Sequence, residues 1–277
     1  QTQSFVSHFN DSVSQLLPSL DKQGEAFTVN ERTVLAKNFP ISIDYKKFNA
    51  TSQLPTIKRR VKKIREKLRV SNIILSVDRL DYTKAIPSRL ESFELFLEQN
   101  PNFIEKVSYI LLMIPTRESI PQYKENKSAV EALVSRVNGK YSTLDWTPIL
   151  YLYQTVVFKK LVCLYVAADI GLVTPYRDGM NLVAKEYVAC RSGSDGVLIL
   201  SETAGSASEL DAAILVNSND RQEVADAIVQ ALTMPSHERE RRIAKMQKKI
   251  WKNNVRLWAS KFLNAVSSIN HNIEIEV

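Results

Sequence analysis

The sequence predicts an α/β fold: a parallel sheet with helices packed on both faces. Three observations carry that expectation. Short apolar, β-branched runs alternate with amphipathic stretches of ten residues or more, the pattern of strands joined by crossover helices. The runs Asn72 to Val77 and Ile170 to Val173 are apolar almost throughout, as strands covered on both faces are. The 277 residues are 44% apolar, enough for a real core in one large or two small domains.

In chain order, Gln1 to Leu17 has a weak helical pattern ending at Pro18, and Thr28 to Ile43 reads as one or two short strands. Ile57, Val61, Ile64 and Leu68 mark the apolar side of a basic helix. Strand Asn72 to Val77 leads through the loop Asp78 to Lys84 into a helix that Pro87 starts, with Leu90, Phe93 and Leu97 inward. Strand Val107 to Ile114 delivers Pro115-Thr-Arg117. A helix from Tyr123 to Val137 follows, stopped by Asn138-Gly139, a good left-handed C-terminal pair. Strand Ile149 to Tyr153, helix Phe158 to Ala168 and strand Ile170 to Val173 lead to the loop at Thr174, and helix Leu182 to Cys190 leaves it. Strands Val197 to Leu200 and Ala213 to Val216 flank a loop at Ser201 to Glu209. Asp220 to Met234 is a helix ended by Pro235. Ser236 reads as the N-cap of a long basic helix, and Val255, Trp258, Phe262 and Val266 continue an apolar stripe beyond it.

Charge and cysteine content exclude several classes. Between Lys58 and Arg69 stand eight basic residues and one acid, Glu66, so this one segment matches the whole net charge of +7. It reads as the wet side of a helix, and no aromatic interleaving supports nucleic-acid stacking, so no nucleic-acid partner is expected. No apolar run approaches the roughly 18 residues that span a membrane. Cys163 and Cys190 lie in apolar helical patterns as packed thiols, which fits a reducing cytoplasm. Neither a dinucleotide glycine fingerprint nor a Gly-Lys-Ser/Thr phosphate loop is present, Asp-x-Asp does not occur, and His8, His237 and His271 do not read as a ligand cluster. No metal and no cofactor are therefore expected.

The densest chemistry is the loop Thr174-Pro-Tyr-Arg-Asp-Gly-Met-Asn-Leu-Val-Ala-Lys-Glu-Tyr187, which a strand delivers onto a helix N-terminus, where N–H groups attract anions. A second is Ser76-Val-Asp-Arg-Leu-Asp-Tyr-Thr-Lys84, whose Arg79 and Lys84 can put two fixed positive charges on a diphosphate. Both stretches, which stand along the chain in the family's order with Ser76–Lys84 first, resemble the signatures of the trehalose-6-phosphate synthases, retaining glycosyltransferases of the two-domain GT-B architecture; the resemblance runs to about Leu263. It implies a Rossmann-like, nucleotide-sugar-binding domain over residues 41–254. It makes residues 1–40 the remnant of an N-terminal acceptor domain with the interdomain crossing, and 255–277 a C-terminal helix and tail.

The resemblance also implies roles. Arg79 and Lys84 hold the diphosphate of UDP-glucose and Asp178 lies beside the donor glucose, the three forming the catalytic set. Gly179, Met180 and Asn181 surround the sugar, and Leu182, Val183, Ala184, Lys185 and Glu186 contact the nucleotide, with Glu186 accepting from the ribose hydroxyls. Arg117 reaches the phosphate of the acceptor, glucose 6-phosphate. Asn138 to Pro148 and Ser201 to Leu210 are further family stretches, structural in the main, and Glu202 and Glu209 carry no catalytic expectation. The family usually has Gly after the lysine, where this chain has Ala85. If that backbone needs a positive φ, Ala costs roughly 1 kcal/mol, and otherwise it is harmless. A near relative, glucosylglycerol-phosphate synthase, shares the donor motifs, and a non-catalytic nucleotide-sugar-binding subunit is the alternative of another class. A homo-oligomer fits the expectation that apolar surface is exposed.

Overall fold

Contacts divide the chain into two units, Gln1–Asp44 with Asn253–Val277, and Tyr45–Lys252. The computed structural model describes residues 1–17, 22–23, 26–29, 32–117, 119–191, 193 and 195–273. In the first unit, α1 (Gln3–Leu16) precedes a small antiparallel sheet of β1 (Lys22–Gln23), β2 (Ala26–Val29) and β3 (Arg32–Leu35). The hairpin thus ends at Leu35, and residues 36–44 are not strand as the sequence suggests. The C-terminal helix, Val255–Ile273, begins on Asn254, whose Oδ1 accepts from the N–H groups of Arg256 at 3.0 Å and Leu257 at 3.2 Å. That cap interrupts the stripe read from Ser236 onward. The Trp258 indole donates to the Phe39 carbonyl at 3.1 Å, and the Phe39 and Phe262 rings meet edge-on at 5.2 Å.

The second unit holds α2 (Tyr45–Ser52), α3 (Pro55–Leu68), β4 (Asn72–Arg79), α4 (Ile86–Gln99), β5 (Val107–Ile114), α5 (Pro121–Tyr141), β6 (Ile149–Tyr153), α6 (Phe158–Ala167), β7 (Ile170–Val173), α7 (Leu182–Ala189), β8 (Val197–Ser201), β9 (Ile214–Val216), α8 (Arg221–Thr233) and α9 (Ser236–Lys252). The six strands lie parallel in the order β6-β5-β4-β7-β8-β9. Inward residues on one face, among them Tyr109, Leu111, Leu172 and Ile199, pack with α4, α5 and α8 in one apolar cluster. On the other face α6 and α7 lie against the sheet, with α3 and α2 on α6 and α9 on α7. The contact of α7 with β7 is close. A Cβ on Gly171 would come within 2.8 Å of the Tyr187 ring, so the strand needs glycine there.

The chain runs outward from β4 through β5 to β6, then returns to the other side of β4 as β7 and continues outward through β8 to β9. Direction therefore reverses between β4 and β7. A crevice at the carboxyl ends of two such strands is where open α/β sheets bind ligands, because the loops diverge there.

Two local readings change. Helix α5 does not stop at Asn138-Gly139 but continues to Tyr141. The Asn138 amide is engaged elsewhere: its Nδ2 donates to the Ile149 carbonyl and its Oδ1 accepts from the Ile149 N–H, both at 3.0 Å. Ser236 is the first residue of α9 rather than its cap; the Pro235 carbonyl takes the N–H groups of Glu238 and Arg239, and Ser236 Oγ lies 3.2 Å from Glu240 Oε1. Helix α3 keeps its amphipathic plan: every cation from Lys58 to Arg69 except Arg65 is exposed, and Arg65 pairs with Asp169. Cys163 and Cys190 are buried and form no disulfide. Among the described residues no helix is long and apolar enough to cross a membrane.

Candidate functional site

The loops leaving β4 and β7 carry the two motifs, and they face each other across the reversal point. After β4, Asp81 accepts from both the N–H and the hydroxyl of Thr83 at 3.0 Å, tightening Tyr82–Lys84 into a single 3₁₀ turn. Partial burial pushes the Asp81 carboxyl up, but the two Thr83 bonds, Lys84 and Arg79 outweigh it and hold it below the ordinary carboxylate value. Ala85 follows with φ +53° and ψ +34°, so the left-handed alternative holds. Arg79, the last residue of β4, is exposed.

After β7, Asp178 organises the loop. Its Oδ1 accepts from the N–H groups of Met180 at 3.3 Å and Asn181 at 3.0 Å, while Oδ2 accepts from Asn181 Nδ2 at 3.1 Å. Asn181, at φ +54°, caps α7 by accepting from the Ala184 N–H at 3.2 Å. The loop after β8 supports this turn from below: the Gly205 N–H donates to the Asp178 carbonyl at 3.0 Å and the Ser206 N–H to the Met180 carbonyl at 2.9 Å.

Both loops are joined directly. Lys84 Nζ forms an ion pair with Asp178 Oδ2, both side chains being largely buried, and the Tyr176 N–H donates to the Thr83 carbonyl at 2.9 Å. The β5 loop joins them through Tyr123, to whose hydroxyl the exposed Arg117 donates at 3.1 Å; that hydroxyl donates in turn to Asp81 Oδ2 at 3.4 Å. Arg117 itself sits at φ +47°. The structure therefore brings Lys84, Asp178, Met180 and Asn181 into one bonded cluster and ties the Arg117 loop to its edge.

On α7, Leu182 and Val183 are half-buried and Ala184 is buried. Lys185 is fully buried, and its ammonium donates to both oxygens of Glu209, at 3.0 and 3.1 Å. Burial lowers its pKa, and Glu209 pulls the other way. Its charge is thus held within the fold, locking α7 to the β8 loop. The carboxylate of Glu186 accepts from the Tyr165 hydroxyl at 2.7 Å, and burial pushes its pKa up. Among the described residues no group of three metal-ligating side chains converges.

The sequence analysis gave no positioning role to Arg89, Thr174, Tyr165 or Glu209. Arg89 had a signal: it stands three residues after Ile86 and four before Phe93, a cation on the buried stripe of α4. Tyr165 and Glu209 had none, since their partners lie 21 and 24 residues away.

The profile of glycosyltransferase family 20 matches residues 1–268. The chain belongs to that family. Among relatives of known function, a bifunctional trehalose-6-phosphate synthase/phosphatase of Thermoproteus tenax is 39% identical over 267 residues, which is 96% of this chain and 36% of the relative. Among solved structures, a trehalose-6-phosphate protein from E. coli bound with UDP-2-fluoro glucose aligns at TM-score 0.91 and 37% identity, over 96% of this chain and 59% of that one. An alpha,alpha-trehalose-phosphate synthase (UDP-forming) from Burkholderia xenovorans, in complex with glucose-6-phosphate, aligns at TM-score 0.92 and 34% identity, over 96% and 60%. This chain thus spans between about a third and three fifths of the length of these relatives, and its sheet is the parallel, Rossmann-like one of a GT-B enzyme.

Proposed function

We propose that this chain is the donor-binding half of a UDP-forming trehalose-6-phosphate synthase, and that the complete enzyme transfers glucose from UDP-glucose to glucose 6-phosphate with retention at the anomeric carbon. One observation carries the reading: Lys84 and Asp178, from the two motif loops, meet at the carboxyl ends of β4 and β7, where the sheet reverses direction. Arg79 and Lys84 take the diphosphate, Arg79 as a planar fork and Lys84 as a point charge. Asp178 and the backbone of Gly179, Met180 and Asn181 hold the glucose; the start of α7 and Glu186 hold the uridine, Glu186 through the ribose hydroxyls. Lys185 serves by fixing α7 against Glu209. Arg117 faces the acceptor phosphate.

In this chemistry the glucose–diphosphate bond breaks, the acceptor oxygen attacks from the same face, and a diphosphate oxygen takes the acceptor's proton as UDP departs. Fixed positive charge on the leaving group and positioning of the two sugars lower the barrier. The domain assignment follows: residues 41–254 bind the donor, residues 1–40 belong to the acceptor domain and the crossing, and 255–277 are the C-terminal helix and tail. The two buried thiols fit a cytoplasmic enzyme.

Calorimetric titration with UDP tests the site. Arg79→Ala and Lys84→Ala should each weaken binding by about 1.5 to 3 kcal/mol, the range for charge-assisted hydrogen bonds. Unchanged affinity in both variants would overturn the assignment.

A further inference from the structure

We infer that Arg89 is a positioning residue that sets the spacing of the two donor loops; this rests on the reading of Lys84 as a diphosphate ligand. Its side chain is completely buried beneath the site, on the stripe of α4 that otherwise carries Ile86, Leu90, Phe93 and Leu97. Each part of its guanidinium is spent on a different segment. Nη1 donates to Asp78 Oδ2 at 2.7 Å, one residue before Arg79; Nη2 donates to the Lys84 carbonyl at 2.9 Å; Nε donates to the Thr174 hydroxyl at 2.9 Å, where β7 becomes the Asp178 loop. One rigid plane therefore holds the end of β4, the end of the β4 loop and the start of the β7 loop.

Stability alone does not account for such a group. A buried ion pair roughly breaks even against apolar side chains of the same volume, and Asp78 shows the expense, its carboxyl being pushed up by burial against the pull of Arg89. What an apolar residue in this place would lack is a fixed distance between Lys84 and the loop of Asp178. The Lys84 backbone is held on its other side by a 3.0 Å bond from its N–H to the Asp81 carbonyl, so the Arg89 bond completes the clamp. A loosened clamp leaves Lys84 charged and misplaced.

The test is a double-mutant cycle read by UDP calorimetry on the 277-residue chain. Arg89→Lys keeps the charge opposite Asp78 and loses the fork, so it should fold, with an unchanged far-UV spectrum and one cooperative melt, and bind UDP about five- to tenfold more weakly. In a Lys84→Ala background the same change should alter the dissociation constant by less than about twofold, because Arg89 acts through Lys84. Wild-type affinity in folded Arg89→Lys, or equal losses in both backgrounds, overturns the inference while leaving the donor site standing. If Lys84→Ala by itself leaves UDP affinity unchanged, the donor-site reading fails and the inference with it. Should Arg89→Lys not fold, Thr174→Val decides: it removes only the hydroxyl, should weaken UDP about threefold, and at wild-type affinity it refutes the role.

Discussion

Ala85 sits between the 3₁₀ turn of Lys84 and the first turn of α4, and its carbonyl accepts from the Arg89 N–H at 3.0 Å, so its backbone cannot relax without moving both. At φ +53° its Cβ is strained by about 1 to 2 kcal/mol, against about 0.5 to 1 kcal/mol of extra chain entropy for glycine. The strain is larger, and we predict that Ala85→Gly raises stability by about 0.5 to 1 kcal/mol; a lowered midpoint in urea unfolding would contradict this. Glu186 poses the opposite case. Its folded pKa is raised above the ordinary 4.5 by burial, with Tyr165 pulling down. A carboxyl so shifted contributes fully below the unfolded pKa, and that contribution is lost as pH rises through the folded value. We predict that Glu186→Gln melts higher than wild type at pH 7, that the gain fades towards about pH 4.5, and that the same variant binds UDP more weakly. An equal melting difference at pH 4 and pH 7 would show that titration of Glu186 is not the cause.

At the scale of elements, the strands were legible because both faces of the sheet are covered: runs such as Val107 to Ile114 are buried almost from end to end. Helix ends were less so. Asn138-Gly139 has the chemistry of a stop, but Asn138 meets the first residue of β6, and a contact across 11 residues overrides a local preference. The two readings predict opposite signs for Asn138→Ala. As a helix terminator its loss would stabilise, whereas loss of two bonds to the buried Ile149 backbone should destabilise by about 1 to 3 kcal/mol, less about 0.5 for the better helix former. We expect net destabilisation in chemical unfolding. The site divides the same way. Arg79, Lys84 and Asp178 stand in contiguous motifs that a reader of the chain can find. Arg89's bond to Thr174 spans 85 residues and that of Tyr165 to Glu186 spans 21, so only the assembled sheet shows what positions the motif residues.

For the whole molecule, the loops of the proposed donor site all lie within the unit Tyr45–Lys252, whereas the acceptor proposal rests on a single exposed side chain, Arg117. The first unit carries exposed apolar residues on two helices, Phe9 at 52% and Leu16 at 79% on α1, Phe262 at 43% and Leu263 at 62% on the C-terminal helix. Apolar surface of this kind favours association, so sedimentation of the 277-residue chain should show species above the monomer at micromolar concentration. Donor binding and turnover should separate in the same sample. In the proposed donor site UDP is held by Arg79, Lys84, the Asp178 loop and α7, all within the unit Tyr45–Lys252. Glucose 6-phosphate needs its hydroxyl held at the anomeric carbon, and alignment of two reactants is worth about 7 to 11 kcal/mol of barrier. One arginine on a loop fixes the phosphate end at most and leaves the sugar free to rotate. We therefore predict that the isolated chain binds UDP and forms no detectable trehalose 6-phosphate from UDP-glucose and glucose 6-phosphate. The two measurements are titration calorimetry and chromatographic detection of product. Product formation would mean that these 277 residues assemble an acceptor site by themselves, and that residues 1–40 do more than join one domain to the next.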